Sequence, residues 1–317
     1  MKHPKLVIVT PALANANNGN WQTAQRWARL LGAAYRVRLC AQWAGGDEAL
    51  MVALHARRCA AAVVDWKTRH PERPLVLVLT GTDLYHDIHV DPVAQRSLAL
   101  ADRLVVLNRL GARMLPAHLQ HKVQVVLQSC SARATCPKSS QRLRVLMVGH
   151  LRAEKDPQTY FDAVRLLAAE PGLWFDHIGA ALDPALGAAA QQLQAECPRY
   201  RWLGGLPHEA TRRRIQRAHL LVHPSRLEGG AHVVIEAVRS GTPVLASRID
   251  GNVGLLGDAY AGCFEPGDAA DLAGQIKALW HDRMRLQALA AQAAERAPWF
   301  SPEQEAASLR ALVGGLL

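Results

Sequence analysis

Glu228 and Glu236 bracket the run Glu228-Gly229-Gly230-Ala231-His232-Val233-Val234-Ile235-Glu236, a spacing that could do chemistry. A helix beginning near Ala231 would place the amides around Gly229, Gly230 and Ala231 at its positive end, where anions bind. Glycines let the backbone approach such a ligand closely. Glu236 then falls about a turn and a half into the helix, with Glu228 just before it. Carboxylates repel phosphate but accept hydrogen bonds from sugar hydroxyls. Amides for phosphate, flanked by a carboxylate on either side, suit a sugar nucleotide, although a plain capped helix with surface glutamates shares the spacing.

A second group of residues points the same way. Gly149-His150-Leu151-Arg152-Ala153-Glu154-Lys155-Asp156-Pro157 follows an apolar run and opens a helix. Arg152 can fork onto phosphate oxygens and Lys155 supplies a compact charge. The alternative is a solvated helix entrance capped by Asp156.

Nearer the amino terminus, Asn17-Asn18-Gly19-Asn20-Trp21 joins an apolar run to a helix, the usual phosphate-facing turn of a strand–helix unit. It lacks G-x-G-x-x-G, so no dinucleotide is implied. Asn20 and Thr23 could donate to an anion or a hydroxyl, and an Asn-rich helix cap fits equally. Thr80-Gly81-Thr82-Asp83-Leu84-Tyr85-His86-Asp87 ends another apolar run. Thr80 and Thr82 there are small hydroxyl donors, and Asp83 or His86 could move protons. His86 also fits a surface role, and His89 reads as one.

The elements that must position these groups alternate along the chain. Short β-branched runs at 5–9, 35–39, 61–64, 75–79, 103–107 and 123–127 predict strands, with helices over 21–31, 48–59 and 93–101. A polar stretch, 131–141, offers Cys136-Pro137-Lys138-Ser139-Ser140 as a hinge. The pattern restarts at Leu143–Gly149 and continues with strands at 174–178, 200–203, 220–223, 244–247 and 262–264. A long Ala- and Leu-rich helical tail follows Asp268, broken at Pro298-Trp299-Phe300-Ser301-Pro302. This alternation argues for parallel sheets flanked by helices, an α/β protein. At 317 residues the chain is long enough for two cores. The expected division is a first domain over 1–138, a second over 139–300 and a terminal helical segment over 301–317.

Composition narrows the ligand. The formal charge of +10 implies an anionic partner, but the basic residues are scattered and aromatics make up only 5%. That disfavours nucleic acid and favours phosphorylated small molecules. Six cysteines show no C-x-x-C pair and no metal-ligand spacing, so they read as reduced thiols; a Cys130–Cys136 disulfide has nothing in the sequence to support it. No D-x-D and no hydrolase constellation is present, and no cofactor or metal is expected. No apolar run is long enough to cross a bilayer. Lys2 and Lys5 followed by Leu6–Ala16 loosely mimic a secretion signal, but the apolar core is short and broken by Pro11. The expectation is a cytoplasmic protein.

With Gly241-Thr242-Pro243-Val244-Leu245-Ala246-Ser247 behind it, the Glu228–Glu236 segment resembles the donor signature of the retaining-type GT-B glycosyltransferases of family four. The resemblance spans essentially the whole chain. It implies two Rossmann-like parallel-sheet domains facing across a cleft, with the terminal helix folded back on the first. It implies that Glu228 contacts the donor sugar, Glu236 the ribose, and Arg152 and Lys155 the departing diphosphate. Leu206, in Leu203-Gly204-Gly205-Leu206, corresponds to the base-contacting position, and Asn252 lies in an expected donor-contacting turn, Asp250–Gly254. The family usually carries an aromatic and a small residue after E-G; here Gly230 and Ala231 fill those places, implying a differently shaped sugar pocket.

Narrower strings are similar to the selenosugar synthases of bacterial selenoneine biosynthesis: Val9-Thr10-Pro11-Ala12, Gly19–Trp27, Ala53-Leu54-His55-Ala56-Arg57-Arg58 and Leu79–Tyr85. That resemblance implies a selenium–carbon bond made from a UDP-sugar, notably UDP-N-acetylglucosamine, and selenophosphate. Gly19, Asn20, Thr23, Thr80, Thr82, Asp83 and His86 would face the acceptor, while His55, Arg57 and Arg58 fall on a predicted helix. The alternatives are transfer to a glycan or lipid hydroxyl, and a non-catalytic nucleotide-sugar or nucleic-acid binding module.

Overall fold

The computed structural model describes residues 3–11 and 19–317, which cluster into two compact units. The first unit holds the chain to Ser129, the short segment Glu228–Gly230, and Trp299–Leu317. The second holds Cys130–Leu227 and Ala231–Pro298. Asn17, Asn18 and Ala12, singled out above, lie outside the described residues, as do residues 12–16 of the signal-like stretch.

In the first unit the order is β1 (Lys5–Val9), α1 (Gly19–Leu31), β2 (Arg36–Cys40), β3 (Leu50–Leu54), α2 (Ala60–Arg69), β4 (Leu75–Leu79), α3 (Ile88–Val90), α4 (Pro92–Leu100), β5 (Arg103–Val106) and β6 (Val123–Val125). These strands form one sheet in the order β2-β1-β3-β4-β5-β6, every pair parallel. Both faces of β1, β3 and β4 are covered, so these strands read as unbroken apolar runs.

One stretch corrects the sequence reading. Residues 48–59 were expected as helix and 61–64 as strand; the reverse holds. Leu50-Met51-Val52-Ala53-Leu54 is five consecutive buried residues paired on both sides, with β1 and with β4. In α2, by contrast, burial recurs at Ala60, Ala62, Val63 and Trp66, the spacing of one helix face. The β-branched pair Val63-Val64 suggested a strand, but tertiary packing overrides so short a propensity signal.

The second unit contains β7 (Leu143–Val148), α5 (Pro157–Leu166), β8 (Leu173–Ile178), α6 (Pro184–Glu196), β9 (Tyr200–Trp202), α7 (His208–Arg217), β10 (Leu220–His223), α8 (His232–Val238), β11 (Val244–Ser247), α9 (Asp250–Leu256), β12 (Cys263–Phe264), α10 (Ala269–His281) and α11 (Arg283–Arg296). Its sheet is again all parallel, ordered β12-β11-β10-β7-β8-β9. The segment offered as a hinge is held along this unit. Arg212 donates to the Ser131 carbonyl, Gln216 to Ala134, and Arg283 to Ser140. Lys138 donates to the Thr242 hydroxyl, and burial pulls its ammonium pKa down to about 8.

The last helix, α12 (Pro302–Gly314), belongs to the first unit. Leu309, Leu312 and Val313 share a core with Trp27, Leu31 and Ile8. Beneath them Glu305, 1% exposed, accepts from both sides of one buried network. Arg26 Nε lies 2.8 Å from its Oε2, Trp27 Nε1 2.7 Å from Oε1, and Ser129 donates through its amide at 2.9 Å and its hydroxyl at 2.5 Å. Arg109 stacks on Trp299 with its guanidinium carbon 3.6 Å from the ring centroid.

All six cysteines are free thiols. Among the described residues no helix is long and apolar enough to cross a membrane.

Candidate functional site

Each sheet reverses its strand order once, and ligands of open parallel sheets bind beyond the strand carboxyl ends at such a switch point. In the second unit the switch lies between β7 and β10, which pair through Val145–Leu220, Leu146–Leu221 and Met147–Val222. β7 runs out at Gly149 and β10 at the loop leading to Glu228, so both motifs leave adjacent strand ends.

At the β7 end, the Lys155 stem lies over Gly149; a Cβ there would sit 3.6 Å from Lys155 Cβ and Cγ. Arg152 is half-exposed, 3.8 Å from Glu154. Burial pulls the His150 pKa down, and the charges of Arg152 and Lys155 pull it further, so three basic groups share this turn. Asp156 takes a left-handed backbone (φ 45°) before Pro157. Its carboxylate does not cap the helix amides; it accepts from the Thr159 hydroxyl at 2.7 Å and from Arg226 at 3.0 Å.

At the β10 end, Glu228 is 8% exposed and α8 begins at His232, one residue past Ala231. The helix has only seven residues, so local amides rather than a long dipole face its entrance. Glu236 is nearly buried, and its Oε1 gathers three basic groups: His208 at 2.6 Å, His232 at 3.4 Å and Arg212 at 3.9 Å. Burial pushes its pKa up, but the hydrogen bonds from His208 and His232 outweigh that and hold it at about 2. Its Oε2 has no hydrogen-bond partner among the described residues.

Gly229 belongs with the first unit, where its backbone packs against the Thr80–Gly81 loop. A Cβ on Gly229 would meet the Thr80 carbonyl oxygen at 2.3 Å, so only glycine fits. Buried Asn108 donates to the Gly229 carbonyl at 2.8 Å, and its own oxygen accepts from the amides of Leu110 and Gly111. Gln128 lies 3.1 Å from where a Gly230 Cβ would stand.

Of the residues expected to face an acceptor, Gly19 and Asn20 open α1. Thr23 is not an available donor: its hydroxyl donates to the Gly19 carbonyl at 2.8 Å and accepts from Gln128 at 2.7 Å. Asp83 is not available for proton transfer either. It is fully buried and accepts from the amides of Thr80, Gly81 and Ala56. Thr80 and Thr82 are half-buried, and His86 is exposed beside Asp87 at 3.0 Å. His55, expected on a helix, instead stands at the carboxyl end of β3 with φ 91°, 3% exposed.

A family profile described as glycosyl transferases group 1 matches residues 132–297, just over half of the chain. The chain belongs to this family. As a group 1 glycosyl transferase it also shares its fold with solved GT-B structures. Sucrose-phosphate synthase (tll1590) from Thermosynechococcus elongatus superposes with a TM-score of 0.79 at 18% identity, covering 99% of each chain. Anabaena Alr3699/HepE in complex with UDP and glucose gives 0.79 at 17% identity, covering 99% of this chain and 100% of that one. TarM of S. aureus, in complex with fondaparinux, alpha-GlcNAc-glycerol and UDP, gives 0.68 at 14% identity over 83% of this chain and 55% of its own. No protein of curated function matches by sequence.

Two donor-side expectations of this group 1 transferase take different shapes. Leu206 is half-buried between β9 and α7, preceded by Gly204 in the left-handed region (φ 63°). Asn252 lies in helix α9 rather than a turn, because amides 252 and 253 bond back to the Ile249 carbonyl. It is fully buried, and its Nδ2 ties down Ser247 at the end of β11 while Oδ1 has no partner. The sequence reading placed His55 on a helix and missed Asn108, Gln128 and His208. Asn108 carries a visible signal, a lone amide where the run Leu104–Leu107 stops; His208 carries none. Among the described residues no cluster of three or more His, Cys, Asp or Glu is placed to hold a metal.

Proposed function

We propose that this transferase moves a sugar from a UDP-sugar to selenophosphate. The C1–O bond to UDP breaks, a C1–Se bond forms, and water then cleaves Se–P to leave a selenosugar and phosphate. UDP leaves against Arg152, Lys155 and the amides of Gly229 to Ala231; Glu228 orients the sugar. Glu236 accepts from the ribose through Oε2, the oxygen its three basic neighbours leave open. UDP bound in the Anabaena relative supports the donor class.

The observation that carries the acceptor reading is the chemistry of the Thr80–Asp83 loop. It offers the neutral Thr82 hydroxyl, and its one carboxylate, Asp83, is consumed by backbone amides and the Thr80 hydroxyl. A sugar hydroxyl needs a base to attack, whereas selenium in selenophosphate is already nucleophilic and needs only donors for its oxygens. One observation favours a hydroxyl acceptor instead: the exposed His86 paired with Asp87 at 3.0 Å has the form of a base held by a carboxylate.

Anaerobic incubation with UDP-N-acetylglucosamine and fresh selenophosphate, followed by mass spectrometry, separates the two. A selenosugar that vanishes in Glu228→Gln or Lys155→Ala supports the first reading. UDP binding with no selenosugar, and UDP release stimulated by a glycan and lost in His86→Ala, supports the second.

A further inference from the structure

The first sheet has its own switch point, between β1 and β3, and the residue immediately beyond β3 is His55. Its backbone sits at φ 91°, a region that favours glycine and strains a residue with a side chain. Strain of this kind persists where the surroundings hold it for a purpose. Next to it, Asp83–Asp87 forms a π-helical turn, another irregularity common at functional sites.

The contacts of His55 settle which way its hydrogen bonds run. The Arg58 amide points at Nδ1 from 3.4 Å, so that nitrogen carries the lone pair. Nε2 therefore carries the hydrogen and lies 3.2 Å from Thr82 Oγ1. Asp83 and Asp87 stand farther off, at 3.8 Å and 4.0 Å, with Arg57 and Arg58 as the facing cations. Burial holds the ring below the ordinary histidine pKa; Asp83 and Asp87 oppose that and Arg58 and Arg57 add to it, so the neutral ring is favoured. Thr82 has no other hydrogen-bond partner among the described residues, and its oxygen receives the His55 hydrogen. The hydroxyl hydrogen is thereby left to point away from the ring.

We propose that His55 is a positioning residue that sets the Thr82 hydroxyl as a fixed hydrogen-bond donor to a phosphoryl-type anion on the acceptor side. This rests on the selenophosphate reading and adds how that anion is held. An unoriented threonine hydroxyl can accept as readily as donate. With one of its two lone pairs taken by the imidazole N–H, its hydrogen is kept for another acceptor, which favours an oxyanion over a neutral sugar hydroxyl.

The test uses inorganic thiophosphate, an air-tolerant analogue, titrated calorimetrically in the presence of UDP, beside selenophosphate KM. Thr82→Val is expected to weaken thiophosphate about tenfold or more, the worth of a hydrogen bond to a charged group, with UDP binding unchanged. Thr82→Ser recovers most of that loss. His55→Asn, which tolerates positive φ, weakens thiophosphate to a similar extent, and the double variant His55→Asn/Thr82→Val is no worse than Thr82→Val alone. His55→Gly, free of the backbone strain, substitutes where the Asn variant does not fold. Full thiophosphate affinity in either single variant, or losses that multiply in the double, would overturn the proposal. A wild type that binds thiophosphate through Thr82 yet makes no selenosugar overturns only the selenophosphate reading.

Discussion

Glu305→Gln tests what ties α12 to α1 and to Ser129 within the first unit. The glutamate takes Arg26, Trp27 and Ser129 at once, at 1% exposure. The amide has the same shape and can still accept from Trp27 or Ser129, but it presents an NH2 to at least one donor and no charge to Arg26. Arg26 is itself 8% exposed, so the change takes the carboxylate charge away from a buried guanidinium. Breaking such a pair costs about 3–5 kcal/mol, whereas replacing both partners with apolar groups is often near neutral. Guanidinium titration followed by the fluorescence of the eight tryptophans, Trp27 among them, reads the unfolding transition. The expected result is a loss of about 3–5 kcal/mol in the transition that includes the first unit, with much of it recovered in Arg26→Met/Glu305→Leu. A loss under about 1 kcal/mol in Glu305→Gln, the scale of an exposed ion pair, would refute the reasoning.

Three further outcomes follow from the site. Glu228→Gln is expected to lower kcat by roughly a hundredfold with an unchanged melting profile, the scale of losing one oriented polar contact in a transition state; near-normal steady-state kinetics in a folded protein would exclude that role. Glu236 has its pKa depressed to about 2, so its contribution is present above its unfolded value of 4.5 and is lost as pH falls toward 2. His208 has a raised pKa, so its contribution is present below 6.5 and is lost as pH rises through the folded value. Glu236→Gln should therefore flatten the acid limb of stability between pH 4.5 and 2 by on the order of 3 kcal/mol, measured by urea titration across that range. Gly229→Ala drives a methyl into the Thr80 carbonyl and should cost about 1–3 kcal/mol together with most of the turnover; a fully active, equally stable variant would show that the loop readily moves aside.

How legible the molecule was from its sequence depended on how much context each element needed. The second unit's strands announce themselves as short apolar runs ended by Gly149, Leu203 or Ser247, and their order brings the two donor motifs to one switch point. The stretch 48–64 failed because five apolar residues do not reveal their own period; only pairing on both sides makes Leu50–Leu54 a central strand. That inversion hid His55, which matters because of the strand end it occupies. Thr23 and Asp83 had the right chemistry and sequence neighbours, but whether a hydroxyl or carboxylate is available depends on partners far along the chain, such as Gln128 and Ala56. The same holds for Glu236, whose basic neighbours include residues of α7 that no local spacing connects to it.

Asp83 has a consequence for how this loop can change. By gathering the amides of residues 56, 80 and 81 on one buried carboxylate, it makes the loop's shape a property of main chain and a single anchor. The Thr80 hydroxyl, 3.4 Å from the same carboxylate, is part of that anchor, whereas Thr82 is a side chain carried on the frame. A scaffold of this kind lends itself to variation: the side chain at 82 can change while the main chain that presents it is inherited intact.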